Sequence, residues 1–220
     1  MGSFHPPLPA DQTVVEDERL VQDLLVHELS RAGFEVRAAE SSAQARKLVD
    51  DFDPDVMLLD VDLGSGPNGI HLAHALAATR PDIAILILTK YPDARSASND
   101  GLDLPENIGF LRKHLVTDAT YLLSALEKVL ADKSLEVRQD TGTPNPFSSL
   151  NDRLFAVLRL LAEGYVNTEI ASRTGVSVKT VERNIDQIYE LLGIETKGGH
   201  NPRVVAAKKY YTEIGLGPRK

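Results

Sequence analysis

Val56 to Leu59 is a short, wholly apolar run that ends at the carboxylate of Asp60. Such a run is typical of a strand buried on both faces, as in a parallel sheet. Three further runs end in the same way: Val14-Val15 before Glu16 and Asp17, Ile83 to Leu88 before Thr89, and Ile108 to Leu111 shortly before Lys113. The carboxyl ends of neighbouring parallel strands face one crevice, so these polar side chains are predicted to converge. Carboxylates, a hydroxyl and an ammonium in one crevice indicate a site for Mg²⁺ and a phosphoryl group.

Between Thr13 and about Leu130, strand-like runs alternate with helical patterns, which predicts βα units around a parallel sheet of five strands. Ser41 and Thr117 are predicted to cap two of the helices. The segment Tyr91 to Asn107 is broken by Pro and Gly and predicts a short or irregular helix. The predicted helices of this region are Glu18 to Ala32, Ser41 to Asp51, Gly69 to Arg80 and Thr117 to Leu130.

The 220 residues suit two small domains. We predict an N-terminal tail over 1–12, a first domain over 13–131, a polar linker with Pro and Gly over 132–149, and a second domain over 150–220. The chain has no cysteine, which excludes disulfides and thiolate chemistry. The start lacks the apolar stretch of a signal peptide, and no apolar run is long enough to cross a bilayer, so we expect a cytoplasmic protein without a membrane partner.

The second domain is predicted to be all-α, with four helices and a basic excess. Residues 148–220 carry 11 basic and 8 acidic side chains, whereas residues 1–147 carry 13 basic and 24 acidic. Only the second domain is therefore expected to bind a polyanion. Val181, Ile185, Ile188 and Leu192 lie on one face of the third helix. The four predicted helices are Asn151 to Glu163, Asn167 to Thr174, Ser177 or Val178 to Leu192, and Pro202 to Ile214.

The acidic pair, the strand-end Asp, the strand-end Thr and the strand-end Lys together resemble the receiver domain of two-component response regulators, over roughly Thr13 to Leu130. The resemblance implies a flavodoxin-like sheet of order 2-1-3-4-5. It implies that Asp60 accepts a phosphoryl group from a sensor histidine kinase. The implied Mg²⁺ ligands are Glu16, Asp17, Asp60 and the backbone carbonyl of Asp62.

The same resemblance implies that Thr89 and Lys113 bind phosphoryl oxygens, and that Thr89 and Phe110 change conformation as the switch. Several positions depart from the receiver pattern near this site, namely Gly64, Lys90 and His114. Lys90 follows Thr89, where a small residue is usual. Lys90 is expected either to obstruct the site or to add a second cation over it.

The second domain resembles the LuxR-type helix-turn-helix of the NarL/FixJ regulators, over Leu150 to about Tyr211. The resemblance is carried by Val157 to Gly164, Asn167 to Ala171, Val176 to Arg183 and Leu191 to Ile194. It implies that the third helix reads double-stranded DNA and that the fourth often pairs two subunits, hence a homodimer. The implied DNA-facing residues are Lys179, Thr180, Glu182, Arg183 and Asp186, with Arg183 as the first candidate for a base contact.

The leading hypothesis is therefore a DNA-binding transcriptional regulator, not an enzyme, in which phosphorylation of Asp60 controls dimerisation and promoter binding. Three alternatives stay open. The receiver could be atypical and never hold phosphate, as Lys90 and the irregular Tyr91 to Asn107 segment suggest. Asp60-Val61-Asp62 also has the Asp-x-Asp spacing of haloacid-dehalogenase-like phosphatases. In the second domain, the charged face of the third helix could be a solvated face in which Arg183 pairs with Asp186 or Gln187.

Overall fold

A computed structural model describes residues 10–64, 66–97, 104–140, 146–147 and 149–213. Residues 1–9 of the predicted tail, 141–145 and 148 of the linker, and Ile214 of the last helix lie outside the described residues. Contacts divide the chain into two compact units, Met1–Lys90 with Leu102–Thr141 and Tyr91–Gly101 with Gly142–Lys220. The first unit contains the sheet, and the second contains the C-terminal helices.

The first unit is built on a five-stranded parallel sheet of order β2-β1-β3-β4-β5, as predicted. Val15 of β1 pairs with Leu59 of β3, and Leu59 pairs with Ile87 of β4. Glu16 and Asp60 therefore each follow a paired residue at the same edge of the sheet. The strands are β1 (Asp11–Val15), β2 (Glu35–Ala39), β3 (Val56–Leu59), β4 (Ala84–Thr89) and β5 (Ile108–Arg112).

Helices pack on the sheet, and most of their predicted bounds agree with the structure to within two residues. The predicted cap Thr117 is wrong, because the carboxylate of Asp118 accepts the backbone N–H of Tyr121 at 2.9 Å and the helix begins at Ala119. The irregular fourth crossover is confirmed in its described part, which contains a four-residue helix. The helices of the first unit are α1 (Arg19–Arg31), α2 (Ser42–Phe52), α3 (Gly69–Thr79) and α5 (Ala119–Leu130), and the four-residue helix α4 (Ala94–Ala97) belongs to the second unit.

The first unit extends beyond the bounds predicted for it at both ends. β1 begins at Asp11, inside the predicted tail. Residues 134–140 were predicted to belong to a linker, but they pack along β5. Val137 is part of the apolar core, and the backbone N–H of Gln139 donates to the carbonyl of Phe110 at 2.9 Å. Gly109 makes room for this packing, because a Cβ on it would lie 2.9 Å from Cγ2 of Val137.

The second unit contains four helices after the linker: α6 (Asp152–Ala162), α7 (Asn167–Thr174), α8 (Val178–Leu191) and α9 (Pro202–Glu213). α7 ends at Gly175, whose left-handed backbone (φ 66°) favours glycine because it has no Cβ. Phe147, Phe155 and Tyr210 form an aromatic cluster with ring centroids 5.6 to 6.2 Å apart. Among the described residues, no helix combines the length and apolar character needed to span a membrane.

Candidate functional site

Lys113 bridges two buried carboxylates at the carboxyl edge of the sheet. Its Nζ lies 2.7 Å from Oε2 of Glu16 and 2.9 Å from Oδ2 of Asp60. Glu16 follows β1, Asp60 follows β3 and Lys113 follows β5, so three strands deliver the groups. The carboxylate side chains are only 2% and 7% exposed. The predicted convergence of Glu16, Asp60 and Lys113 is thus present in the structure.

The backbone around Asp60 fixes its carboxylate. The N–H of Asp60 donates to the carbonyl of Val15 at 2.8 Å, which continues the pairing of β1 with β3. The N–H of Val61 donates to Oδ1 of Asp60 at 2.6 Å, so one carboxylate oxygen is held by the backbone and the other by Lys113. The loop then returns to α3, where the N–H of Gly69 donates to the carbonyl of Val61 at 2.9 Å.

Gly69 is a residue of this site that sequence reasoning missed. A Cβ on it would lie 2.0 Å from the carbonyl oxygen of Asp60 and 3.0 Å from Cα of Val61. Only glycine allows the start of α3 to approach the backbone of Asp60 so closely. The sequence gives little indication of this role, because Asn68-Gly69 is also typical of an ordinary helix start.

Burial shifts the pKa values of Glu16 and Asp60 upward, and a neighbouring carboxylate adds to each shift. Burial, followed by the charge of Asp60, raises the pKa of Glu16 to about 7, although Lys113 opposes the shift. Burial also raises the pKa of Asp60 against the opposing charge of Lys113. Burial alone would lower the pKa of Lys113, but the two carboxylates outweigh it and raise that pKa. The site thus holds more negative charge than one ammonium neutralises.

Asp17 completes a cluster of three carboxylates whose geometry suits a cation. One oxygen each from Glu16, Asp17 and Asp60 lies within 4.8 Å of the others, and the side chain of Asp17 is exposed. Mg²⁺ prefers hard oxygen donors and usually keeps some of its water ligands. Three carboxylate oxygens at this spacing can supply such donors, and the exposed Asp17 leaves the cluster accessible to water. The residues present therefore fit the predicted metal.

The remaining predicted residues of the first unit lie at or near the same edge. Thr89 is the last residue of β4, pairs with Arg112 and is fully buried. Phe110 is fully buried within β5. Asp62 lies two residues after Asp60, and its carboxylate pairs with Lys90 at 2.7 Å. The unusual Lys90 is therefore paired beside Asp60, and its pairing with Asp62 was not foreseen.

Helix α8 presents a charged stripe on the face opposite its core. Val181, Ile185 and Ile188 are buried. Of the five residues predicted to face DNA, Lys179, Glu182, Arg183 and Asp186 are exposed, and Thr180 is half-buried beside the capping residue Ser177. Within the described parts of the chain, Arg183 forms no salt bridge with Asp186 and no hydrogen bond with Gln187. The pairing assumed in the alternative is therefore not seen in the structure, and contact of this face with DNA stays a prediction.

Two contacts that sequence reasoning missed hold α9 against the end of α8 and the start of α7. The ammonium of Lys209 on α9 donates to the carbonyl of Leu192 at 2.7 Å, at the end of α8. A cation at this end is favourable because the last carbonyls of a helix carry partial negative charge. Arg203 donates to Oδ1 of Asn167 at 3.0 Å and to the carbonyl of Tyr165, which fixes α9 to the start of α7.

Two family models match the chain. The response regulator receiver domain matches residues 13–127, and the bacterial regulatory proteins of the luxR family match residues 148–197. The chain is a response regulator with a LuxR-type domain. Oxygen regulatory protein NreC of Staphylococcus aureus is 31% identical over 174 residues, covering 74% of this chain and 80% of NreC. The family consists of DNA-binding transcription regulators rather than enzymes, which confirms the prediction of a non-enzyme and makes the phosphatase alternative wrong.

Solved structures of RcsB share the fold of this response regulator. RcsB from Salmonella enterica serovar Typhimurium, bound to promoter rprA in the presence of the phosphomimetic BeF₃⁻, has a TM-score of 0.56 and 23% identity. The match covers 85% of this chain and 94% of that one. A structure of two RcsB dimers bound to two parallel DNAs has a TM-score of 0.55 and 24% identity, covering 91% of this chain and 97% of that one.

Proposed function

We propose that Asp60 accepts a phosphoryl group from a sensor histidine kinase, and that the phosphorylated receiver controls dimerisation and promoter binding by α8. The observation that carries this proposal is the bridge of Lys113 between Glu16 and Asp60 at 2.7 and 2.9 Å. A buried carboxylate with an ammonium at hydrogen-bond distance has both a nucleophilic oxygen and a cation that can receive phosphoryl oxygens.

The residues of the chain supply positioning and charge for this transfer. Phosphoryl transfer needs alignment of the attacking oxygen and stabilisation of charge on the equatorial oxygens. The N–H of Val61 and the ammonium of Lys113 orient the Asp60 carboxylate, and Lys113 and Thr89 are proposed to bind the phosphoryl oxygens. Glu16, Asp17, Asp60 and the backbone carbonyl of Asp62 would hold Mg²⁺, which supplies neutralising charge when bound.

The raised pKa of Glu16 gives a pH test of this cluster in the absence of Mg²⁺. Between the ordinary value of 4.5 and the folded value of about 7, the folded protein keeps a proton that the unfolded chain has lost. This contribution to stability is present at low pH and is lost as pH rises through about 7. We expect the free energy of unfolding to fall by up to about 1.4 kcal/mol per pH unit in this window, measured by urea unfolding.

The matched variant Glu16→Gln should reduce this slope, because its amide does not titrate, and the part that remains is due to Asp60, whose pKa is also raised. Mg²⁺ added to the wild type at about pH 8 should restore stability, since the cation binds the ionised carboxylates of the folded state. A wild-type slope equal to that of Glu16→Gln would contradict the assignment to Glu16. No effect of Mg²⁺ at this pH would contradict the proposed metal site.

The DNA part of the proposal is supported by the exposed stripe on α8 and by the RcsB complexes, which contain DNA and, in one case, RcsB dimers. We infer that the protein binds double-stranded DNA as a homodimer, with the start of α8 in the major groove. A regulator of transcription acts where the DNA lies, so we also infer a cytoplasmic location.

Arg183→Ala is expected to weaken binding to a duplex selected by the wild-type protein from a random pool. A guanidinium that contacts guanine in two places contributes about 1 to 3 kcal/mol, or about 5- to 150-fold in affinity. Fluorescence anisotropy would measure this loss. Arg31→Ala, which removes the same charge from exposed α1 in the receiver, is the matched control and should bind as the wild type does. Equal losses in both variants would exclude a base contact by Arg183.

A further inference from the structure

Lys90 and Asp62 form an ion pair at the edge of the sheet that carries Asp60. Lys90 directly follows Thr89, the last residue of β4, and Asp62 lies two residues past Asp60. The Lys90 ammonium is 2.7 Å from a carboxylate oxygen of Asp62. The two side chains are 40% and 41% exposed, so water screens the pair and little free energy opposes its opening.

The charge of Asp60 also reaches Lys90. Burial alone would lower the pKa of Lys90, but its hydrogen bond and attraction to Asp62, together with the charge of Asp60, raise that pKa. The ammonium is therefore protonated at neutral pH. Lys113 is already engaged by two carboxylates, Glu16 and Asp60. Moving the Lys90 ammonium therefore requires less free energy than moving that of Lys113.

We propose that Lys90 is a positioning residue for the phosphoryl group on Asp60, held by Asp62 before the transfer and moved onto phosphoryl oxygens after it. The proposal rests on the proposed phosphorylation of Asp60. With acetyl phosphate as donor, a carboxylate oxygen of Asp60 bonds to phosphorus, the bond from phosphorus to the acetyl oxygen breaks, and acetate leaves with that electron pair. The charge on the Asp60 side chain rises from one negative unit to about two, which attracts Lys90 away from Asp62.

The same movement lengthens the life of the acyl phosphate. In hydrolysis, water forms a bond to phosphorus while the bond from phosphorus to the Asp60 oxygen breaks, and the water proton passes to solvent. A side chain lying over the phosphoryl group obstructs the approach of that water. Asp62 has the opposite effect on formation, because it holds the Lys90 ammonium at 2.7 Å and keeps it from meeting the donor's phosphoryl oxygens until the pair opens.

The test compares the full-length wild type with Lys90→Ala, Lys90→Arg, Asp62→Asn and the double variant. Each is phosphorylated with acetyl phosphate and Mg²⁺, freed of donor by gel filtration and followed by intact mass. Lys90→Ala should lose its acyl phosphate about tenfold faster, as expected for one lost charge-assisted contact. Lys90→Arg should retain nearly the wild-type lifetime. Asp62→Asn should gain phosphate faster, and this gain should vanish in the double variant, where Lys90 is absent.

Ionic strength gives a readout that a purely structural role would not change. Added salt should shorten the lifetime of the wild-type acyl phosphate more than that of Lys90→Ala, because only the wild type has the exposed Lys90 contact that salt screens, whereas both have Lys113. A wild type that is phosphorylated but shares its lifetime with Lys90→Ala would overturn the role of Lys90 alone. A wild type that takes no phosphate at all would overturn the phosphorylation of Asp60 and this role with it.

Discussion

Asp60→Asn is expected to abolish acyl phosphate formation completely. The amide lacks the nucleophilic carboxylate oxygen, and the remaining carboxylates of the cluster, Glu16 and Asp17, are assigned to Mg²⁺ in our proposal. Intact mass after incubation with acetyl phosphate and Mg²⁺ measures the result. The fold should persist, because the substitution removes a buried carboxylate whose pKa is already raised by desolvation.

Asp51→Asn is the matched control for this experiment. It makes the same chemical change on an exposed position of α2 and should be phosphorylated as the wild type is. A phosphorylated fraction in Asp60→Asn equal to that of the wild type would place the phosphate on another residue. A wild type that stays unmodified would favour the alternative of a receiver that never holds phosphate.

The strands and the first members of the site could be predicted because burial on both faces leaves a strong pattern. Val56 to Leu59 has the observed bounds of β3, since a strand covered by helices on both sides has no polar position. Parallel pairing then carries Glu16, Asp60 and Lys113 to one edge, whatever their separation along the chain. Their convergence therefore followed from topology without any knowledge of individual distances.

The packing of residues 134–140 on β5 could not be predicted from composition. The segment is polar, and it contacts β5 largely through hydrogen bonds, which a hydropathy pattern does not indicate. The backbone N–H of Gln139 meets the carbonyl of Phe110 at 2.9 Å, and its side chain accepts the N–H of Arg112 at 2.7 Å. Arg138 and Asp140 form a buried pair at 2.7 Å, so their charges do not mark an exposed linker. These hydrogen-bond and ion-pair partners can be identified only in the folded structure, where the segment lies beside the edge strand β5.

The pairing of Lys90 with Asp62 and the close approach of Gly69 to Asp60 escaped prediction for a related reason. Both depend on loops that follow strand ends, where the course of the backbone is set by contacts across the edge rather than by periodicity. Lys90 could be recognised as unusual from its position after Thr89, but its partner could not. Gly69 could be expected at the start of a helix, but not as the point where α3 meets the backbone of Asp60.

Gly69→Ala is expected to be the most destabilising single substitution near the site. Its Cβ would lie 2.0 Å from the carbonyl oxygen of Asp60 and 2.9 Å from the carbonyl carbon, and backbone atoms cannot rotate away as a side chain can. α3 must shift, which also breaks the bond from the N–H of Gly69 to Val61. We expect a loss of about 3 kcal/mol, the upper part of the usual range for an overpacked core, measured by urea unfolding. Slower phosphorylation of Asp60 should accompany it.

Gly→Ala substitutions at two other positions serve as comparisons for this prediction. At Gly109 a Cβ would meet side-chain atoms of Val129, Leu86 and Val137 at 2.7 to 2.9 Å, and these can yield in part, so Gly109→Ala should cost less. At Gly199 nothing lies within 4 Å, so Gly199→Ala should leave stability unchanged. The expected loss of unfolding free energy is therefore largest where the new Cβ meets backbone, smaller where it meets side chains, and absent where it meets solvent. If Gly69→Ala unfolds at the same urea concentration as Gly199→Ala, the close approach of α3 to Asp60 does not exist in solution.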